Sequence, residues 1–194
     1  MVLMSSTDST LDLSVEDRCT LVQLAHASIE SGLLGNKLRL DLSQYSTTLQ
    51  RPGASFVTLR VLEELRGCIG SIEARRVLVM DVVKNAHAAA FSDPRFDALT
   101  SKEFEDLNVH ISVLSDPQGL TFTSEDDLIR QLRPGVDGVI LEEGSCRATY
   151  LPAVWKALPD ARQFLQQLKL KAGLPADYWS ERIQVRRYTT ESFS

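Results

Sequence analysis

Cys68 is the residue in this chain best placed by its neighbours to do chemistry. It lies in the stretch LRGCIGS (Leu65–Ser71), between Gly67 and Gly70 and two residues after Arg66. Residues two apart on a strand share a face, so Arg66 is expected to point the same way as Cys68. A guanidinium near a thiol stabilises the thiolate, which is the nucleophilic form of cysteine. Glycines on both sides would let a substrate or another backbone approach closely. The same pattern has a plainer reading: a small buried thiol, with glycines that let a hairpin pack tightly on a helix.

A cysteine nucleophile also needs a base. The chain has three histidines, His26, His87 and His110. His26 falls on the apolar stripe of the first helix and reads as structural. His87 follows the cysteine strand on a helix, and His110 faces away from the apolar side of its strand; sequence does not choose between them. A further polar group is Asn85, Asp93 and Arg95. Asn85 precedes Asp93 by eight residues, near the same helical face. Arg95 could grip a carboxylate or phosphate, with Asn85 and Asp93 orienting a polar substrate. Alternatively Asp93 closes an Asx-turn ahead of Pro94 and Arg95 pairs internally. Thr58 and Ser112 read as sheet hydroxyls. No nucleophile-elbow or phosphate-loop pattern occurs, and no His/Cys cluster has metal spacing, so neither a metal site nor a cofactor is expected.

The elements that must carry these residues are legible in part. Ser14 with Asp17 forms a capping box, and Val15, Cys19, Val22, His26 and Ile29 then recur at helical steps. ASFVTLRV and RGCIGS read as two strands of an antiparallel hairpin joined through LEEL. VLVMDVVKNAHAAAF is a helix that Pro94 cannot continue. Thr100 with Glu103 caps a short helix through Asp106. NVHISVLS is a strand, with Val109, Ile111 and Val113 on one side and His110, Ser112 and Leu114 on the other. SEDDLIRQL is a capped helix, and GVIL and ATYL flank a second hairpin. DARQFLQQLKLKAGL is an amphipathic helix burying Phe164, Leu165, Leu168 and Ala172, with Lys169 and Lys171 outward and Gly173 at its exit. RIQVRRY is expected to be the last strand. Two short hairpins among helices imply an α+β fold, an antiparallel or mixed sheet with packed helices, in preference to a doubly wound one.

The bulk numbers set the class. The chain has 194 residues, with 43% hydrophobic and 24% charged, which suits one globular domain. A net charge of −5 without a basic stripe argues against nucleic-acid binding. Three scattered cysteines without C-x-x-C spacing fit reduced thiols in a cytoplasmic protein. The polar N-terminus does not read as a signal peptide, and no apolar run is long enough to cross a membrane. Residues 1–12 are expected to be a disordered N-terminus and 13–194 a single domain with two lobes.

In order along the chain, FVTL, LRGCIGS, NAHAAAFSDPRF, ISVLS, LPAVW and FLQQLKLKAGL resemble the AMMECR-one family, from about Phe56 to Tyr188. Prokaryotic members of that family are the A component of the AmmeMemoRadiSam system. The resemblance implies a larger and a smaller lobe with the LRGCIG motif near a cleft between them, and an association with Memo-like and radical SAM proteins. It supplies no defined reaction. Ala153 stands in LPAVW where the family usually carries Gln, and His87 lies at a position the family does not fix. Two functions follow as expectations. One is an enzyme using Cys68 on a small polar substrate, with Arg66 tuning the thiol and Gly67, Gly70, Asn85, Asp93 and Arg95 lining the site. The other is a non-catalytic adaptor that docks a partner protein at the same motif.

Overall fold

The computed structural model describes residues 12–194, so most of the expected N-terminal tail lies outside the described residues. Among the described residues five α-helices and two sheets give an α+β fold, as the sequence implies. The chain divides into two compact units. One runs through Leu114 and takes back Glu191–Ser194; the other is Ser115–Thr190.

The first unit begins with helix α1 (Val15–Leu33), whose capping box is formed as expected: the Ser14 hydroxyl accepts from the Asp17 amide, and the Asp17 carboxylate accepts from the Ser14 amide. Strands β1 (Pro52–Val61) and β2 (Glu64–Gly70) form the antiparallel hairpin. The short β3 (Arg76–Val77) leads into helix α2 (Leu78–Phe91), and a one-turn helix α3 (Ser101–Phe104) precedes β4 (Leu107–Leu114). The sheet order is β2-β1-β4, completed by β9 (Thr190–Phe193) beyond β4. Val57, Leu59, Val109, Ile111 and Val113 of this sheet are buried in one core with Leu21, Ala25 and Ile29 of α1 and Leu78, Val82 and Ala86 of α2.

The second unit holds β5 (Gln118–Gly119), α4 (Glu125–Gln131), β6 (Gly138–Glu143), β7 (Cys146–Tyr150), α5 (Ala161–Lys171) and β8 (Gln184–Tyr188). Its antiparallel sheet runs β5-β8-β6-β7. Phe164, Leu165 and Leu168 of α5 pack with Leu141, Ala148, Trp155 and Val185, and Trp155 stacks flat on Phe164 at 3.8 Å.

Four local expectations are corrected. The buried face of α1 is Asp17, Leu21, Ala25, Ser28 and Ile29, whereas Val15 and Cys19 are exposed. Apolar residues lie on more than one side of this helix. The packed side is the one where Ala25 allows close approach and Ser28 donates to the Val83 carbonyl at 2.8 Å. Lys169 does not face solvent: it is fully buried, with Nζ 2.6 Å from Glu125 Oε1 and over the Trp179 ring. Helix α5 ends where Gly173 adopts φ +85, and the chain after it folds back so that the Ala176 carbonyl also accepts from Lys169. Helix α3 stops at Phe104, short of Asp106. Finally, β8 is not the last strand: Thr189 leaves the second sheet, and β9 joins the first.

Candidate functional site

Strand β2 is the edge of its sheet, which leaves alternate backbone groups without a ladder partner. Cys68 is paired with Thr58 on β1, and its own N–H and C=O point outward. The segment after α2 takes up both. The Cys68 amide donates to Asp93 Oδ2 at 2.8 Å, and Arg95 Nη2 donates to the Cys68 carbonyl at 3.3 Å. Asp93 and Arg95 are themselves locked together: Asp93 Oδ2 accepts from Arg95 Nη2 at 2.7 Å, and Oδ1 from Arg95 Nε at 2.9 Å and from the Arg95 amide at 3.1 Å. The DPRF turn therefore stands in for a missing strand. The Asx-turn and the internal ion pair expected of Asp93 and Arg95 are both formed.

Outward pointing of the Cys68 backbone makes Cys68 and Thr58 a non-hydrogen-bonded pair, in which side chains approach most closely. Cys68 Sγ lies 3.3 Å from Thr58 Oγ1. Across β1, Thr58 pairs in turn with His110 of β4. Cys68, Thr58 and His110 thus form one row over three neighbouring strands and share a face. That face is opposite α2, because Gly67, the next residue, points at α2: a Cβ there would lie 2.1 Å from the Ala89 carbonyl oxygen. Cys68 and Thr58 are half-buried and His110 is exposed.

The electrostatics centre on Arg95. Its guanidinium is held charged first by its hydrogen bond to Asp93, with smaller contributions from the charge of Asp93 and from Cys68. The Arg95 hydrogen bond holds the Asp93 carboxyl far below the usual carboxylate range, against the opposing effect of its burial, with the Cys68 amide adding to the depression. Asp93 is 2% exposed at the side chain, whereas Arg95 is 54% exposed, so the pair offers one accessible cationic face beside the thiol.

The structure gathers some expected site residues and separates others. Arg66 does not turn to Cys68. A bulge at Leu59/Arg60 breaks the hairpin register beside it, and its guanidinium binds Glu103, with Nε 2.6 Å from Oε1, and the Asp97 carbonyl at 2.9 Å. This pairing pulls Glu103 down to about 2. Arg95, and not Arg66, is the cation whose side chain reaches Cys68, through the Cys68 carbonyl. Gly67 serves the approach of α2, and Gly70 lies under the Phe56 ring, which a Cβ would meet at 2.3 Å. Asn85 does not join Asp93 and Arg95; its amide donates to the Ser55 carbonyl and to Asp81 Oδ2, both at 2.9 Å. His26 packs edge-on against Phe104, and burial lowers its pKa. His87 stacks at a tilt on Phe91 of α2, the helix that Gly67 faces. Ala153 is exposed.

Asn85 belongs to a second polar centre that sequence reading missed. Asp81 is fully buried in the first turn of α2. Its Oδ2 accepts from the Ser55 amide and hydroxyl, from Ser71 and from Asn85; Oδ1 accepts from Ser71 and Arg76. Ser55 is on β1 and Ser71 directly follows β2, so the network pins the hairpin to α2 just beyond Gly70. The available signal was an aspartate four residues before an asparagine in an apolar helix. Among the described residues no three His, Cys, Asp or Glu gather closely enough to hold a metal ion.

These features define a class: two antiparallel sheets, each with its own helices, and a glycine-flanked cysteine on an edge strand clamped by an Asp–Arg turn. The family model described as AMMECR1 matches residues 22–193, and the chain belongs to that family. Among its relatives, a protein of Methanothermobacter thermautotrophicus is 38% identical over 93% of this chain and 95% of its own. Protein MJ0810 of Methanocaldococcus jannaschii is 32% identical over 93% and 91%. The crystal structure of the uncharacterized protein PH0010 from Pyrococcus horikoshii superposes with a TM-score of 0.85 at 32% identity, covering 93% of this chain and 92% of that one.

Proposed function

We propose that this protein is a thiol-dependent enzyme acting on a small polar substrate that carries an anionic group. Cys68 is the nucleophile, Thr58 relays its proton toward His110, and the exposed side of Arg95 holds the anionic end of the substrate. The row of Cys68, Thr58 and His110 beside the Arg95 guanidinium carries this reading. Sulfur attacks an acyl carbon of the substrate while the thiol proton passes through the Thr58 hydroxyl to the imidazole. The bond from that carbon to its leaving group breaks, and the leaving group departs with the proton from the imidazolium. Water then hydrolyses the thioester to the carboxylic acid and restores the thiol. Arg66 enters only by fixing α3 through Glu103, and Asn85 by anchoring the hairpin.

The scattered cysteines support placing the protein in the cytoplasm, and the family resemblance supports a pathway with Memo-like and radical SAM proteins. Among the described residues no helix is long and apolar enough to cross a membrane. A second reading, a docking module without chemistry, draws on Leu62 and Leu65, which are exposed at the tip of the same hairpin.

Iodoacetamide labelling separates the two. Cys68 is expected to label at pH 7 at least about tenfold faster in the native protein than in Thr58→Val or His110→Gln, both of which should fold. Equal rates in all three forms would overturn the relay. Labelling no faster than in a denatured control would favour the docking module.

A further inference from the structure

The second unit has a hollow of about 300 Å³ at the β6–β7 turn, near the lower end of small-molecule sites. Glu143, the last residue of β6, lines it with Cys146, Leu174, Tyr178 and Arg182. Glu143 is 8% exposed, and its two oxygens are treated very differently. Oε1 accepts from Tyr178 Oη at 3.2 Å and Ser180 Oγ at 3.4 Å and pairs with Arg182 Nη2 at 3.1 Å. Oε2 is buried and has no hydrogen-bond partner.

Holding down the 178–182 segment explains Oε1 alone. An unpartnered oxygen on a buried carboxylate is unfavourable, and a donor arriving from the hollow would relieve it. The terminal carboxylate torsion of glutamate is soft, so a modest turn presents Oε2 to the hollow. Arg182 is 83% exposed, leaving most of its guanidinium for an anionic partner. Leu174 and the Tyr178 ring give the hollow apolar lining beside these charges.

We propose that this hollow binds a small zwitterion of the α-amino-acid type with an apolar side chain. Its ammonium donates to Glu143 Oε2, its carboxylate accepts from Arg182, and its side chain rests on Leu174 and Tyr178. The site lies wholly in the second unit and is independent of the Cys68 chemistry.

Titration of the full chain with L-leucine, followed by amide NMR shifts, tests this. Saturable shifts are expected at residues 144–146 and 174–182 by about 10 mM ligand, the weak-affinity regime of a single small molecule. Glu143→Gln and Arg182→Ala should each weaken binding about tenfold, the loss of one charge-assisted contact. Arg182 is exposed, so its variant keeps the test valid should Glu143→Gln unfold. Leucinamide, which lacks the carboxylate, and 4-methylpentanoate, which lacks the amine, should each bind more weakly than leucine. Absence of saturable shifts, shifts mapping elsewhere, either analogue binding as well as leucine, or undiminished binding by the folded variants would each overturn the proposal.

Discussion

Asp93 accepts the backbone amide of Cys68 at 2.8 Å across 25 residues of sequence, and that bond ties the open edge of β2 to the turn after α2. The same carboxylate holds Arg95. Asp93→Ala should therefore loosen the edge of β2 and free Arg95 together. The expected loss is about 2 kcal/mol in urea unfolding, since the buried amide of Cys68 is left without an acceptor. Amide exchange at Cys68 should accelerate more than at Val57 in the centre of the sheet.

Gly67 and Gly70 differ in what surrounds them, so alanine should separate them. At Gly67 the added Cβ meets backbone, the Ala89 carbonyl of α2, and the helix would have to move. Gly67→Ala should destabilise by about 3 kcal/mol or more. At Gly70 the obstacle is the Phe56 ring, a half-buried side chain and not backbone. Gly70→Ala should cost about 1 kcal/mol. Chemical denaturation of the two variants checks the ranking.

The β1–β2 hairpin turns through Leu62 at φ +48 and Glu63 at φ +67, a left-handed pair built without glycine or asparagine. Such a turn matches strand twist but strains both residues. Replacing them as Leu62→Asn and Glu63→Gly should raise stability by about 1 kcal/mol or more. A thermal melt that moves upward, with unchanged Cys68 labelling, is the expected result.

Acid sensitivity should map to Glu103. Its folded pKa of about 2 lies below the ordinary 4.5, chiefly because of the Arg66 hydrogen bond. A depressed acidic pKa contributes stability that is present in full above 4.5 and lost as pH falls toward 2. Asp93 is likewise depressed, from an ordinary 3.8, so its contribution is present above 3.8 and is lost over a lower pH range than that of Glu103. Glu103→Gln should be less stable than the native chain at pH 6, and the gap should narrow as pH drops to about 2.5. Parallel denaturation curves across that range test the sign.

Helix α5 offers a further check. Lys169 is buried against Glu125, so Lys169→Ala should destabilise by about 3 kcal/mol, leaving a partly buried carboxylate and a cavity. Lys169→Met, which fills the volume, should be the milder change.

Local chemistry settled much of this molecule from the sequence alone. The capping boxes at Ser14 and Thr100, the two hairpins, the stop at Pro94 and the Asx-turn at Asp93 depend on residues within a few positions of one another, and their types dictate those shapes. What neighbours each element was decided by tertiary packing. Spacing put Arg66 beside Cys68, but a bulge and the distant Glu103 drew it off, and Arg95 arrived from beyond α2 instead. Register between β2, β1 and β4 aligned Cys68, Thr58 and His110, which no local pattern encodes. Asp81 became a buried anchor, and Lys169 a core residue, because segments remote in sequence closed over them. Caps and turns satisfy backbone groups nearby, whereas a site is made where separate strands and loops are brought into contact by burial of their common core.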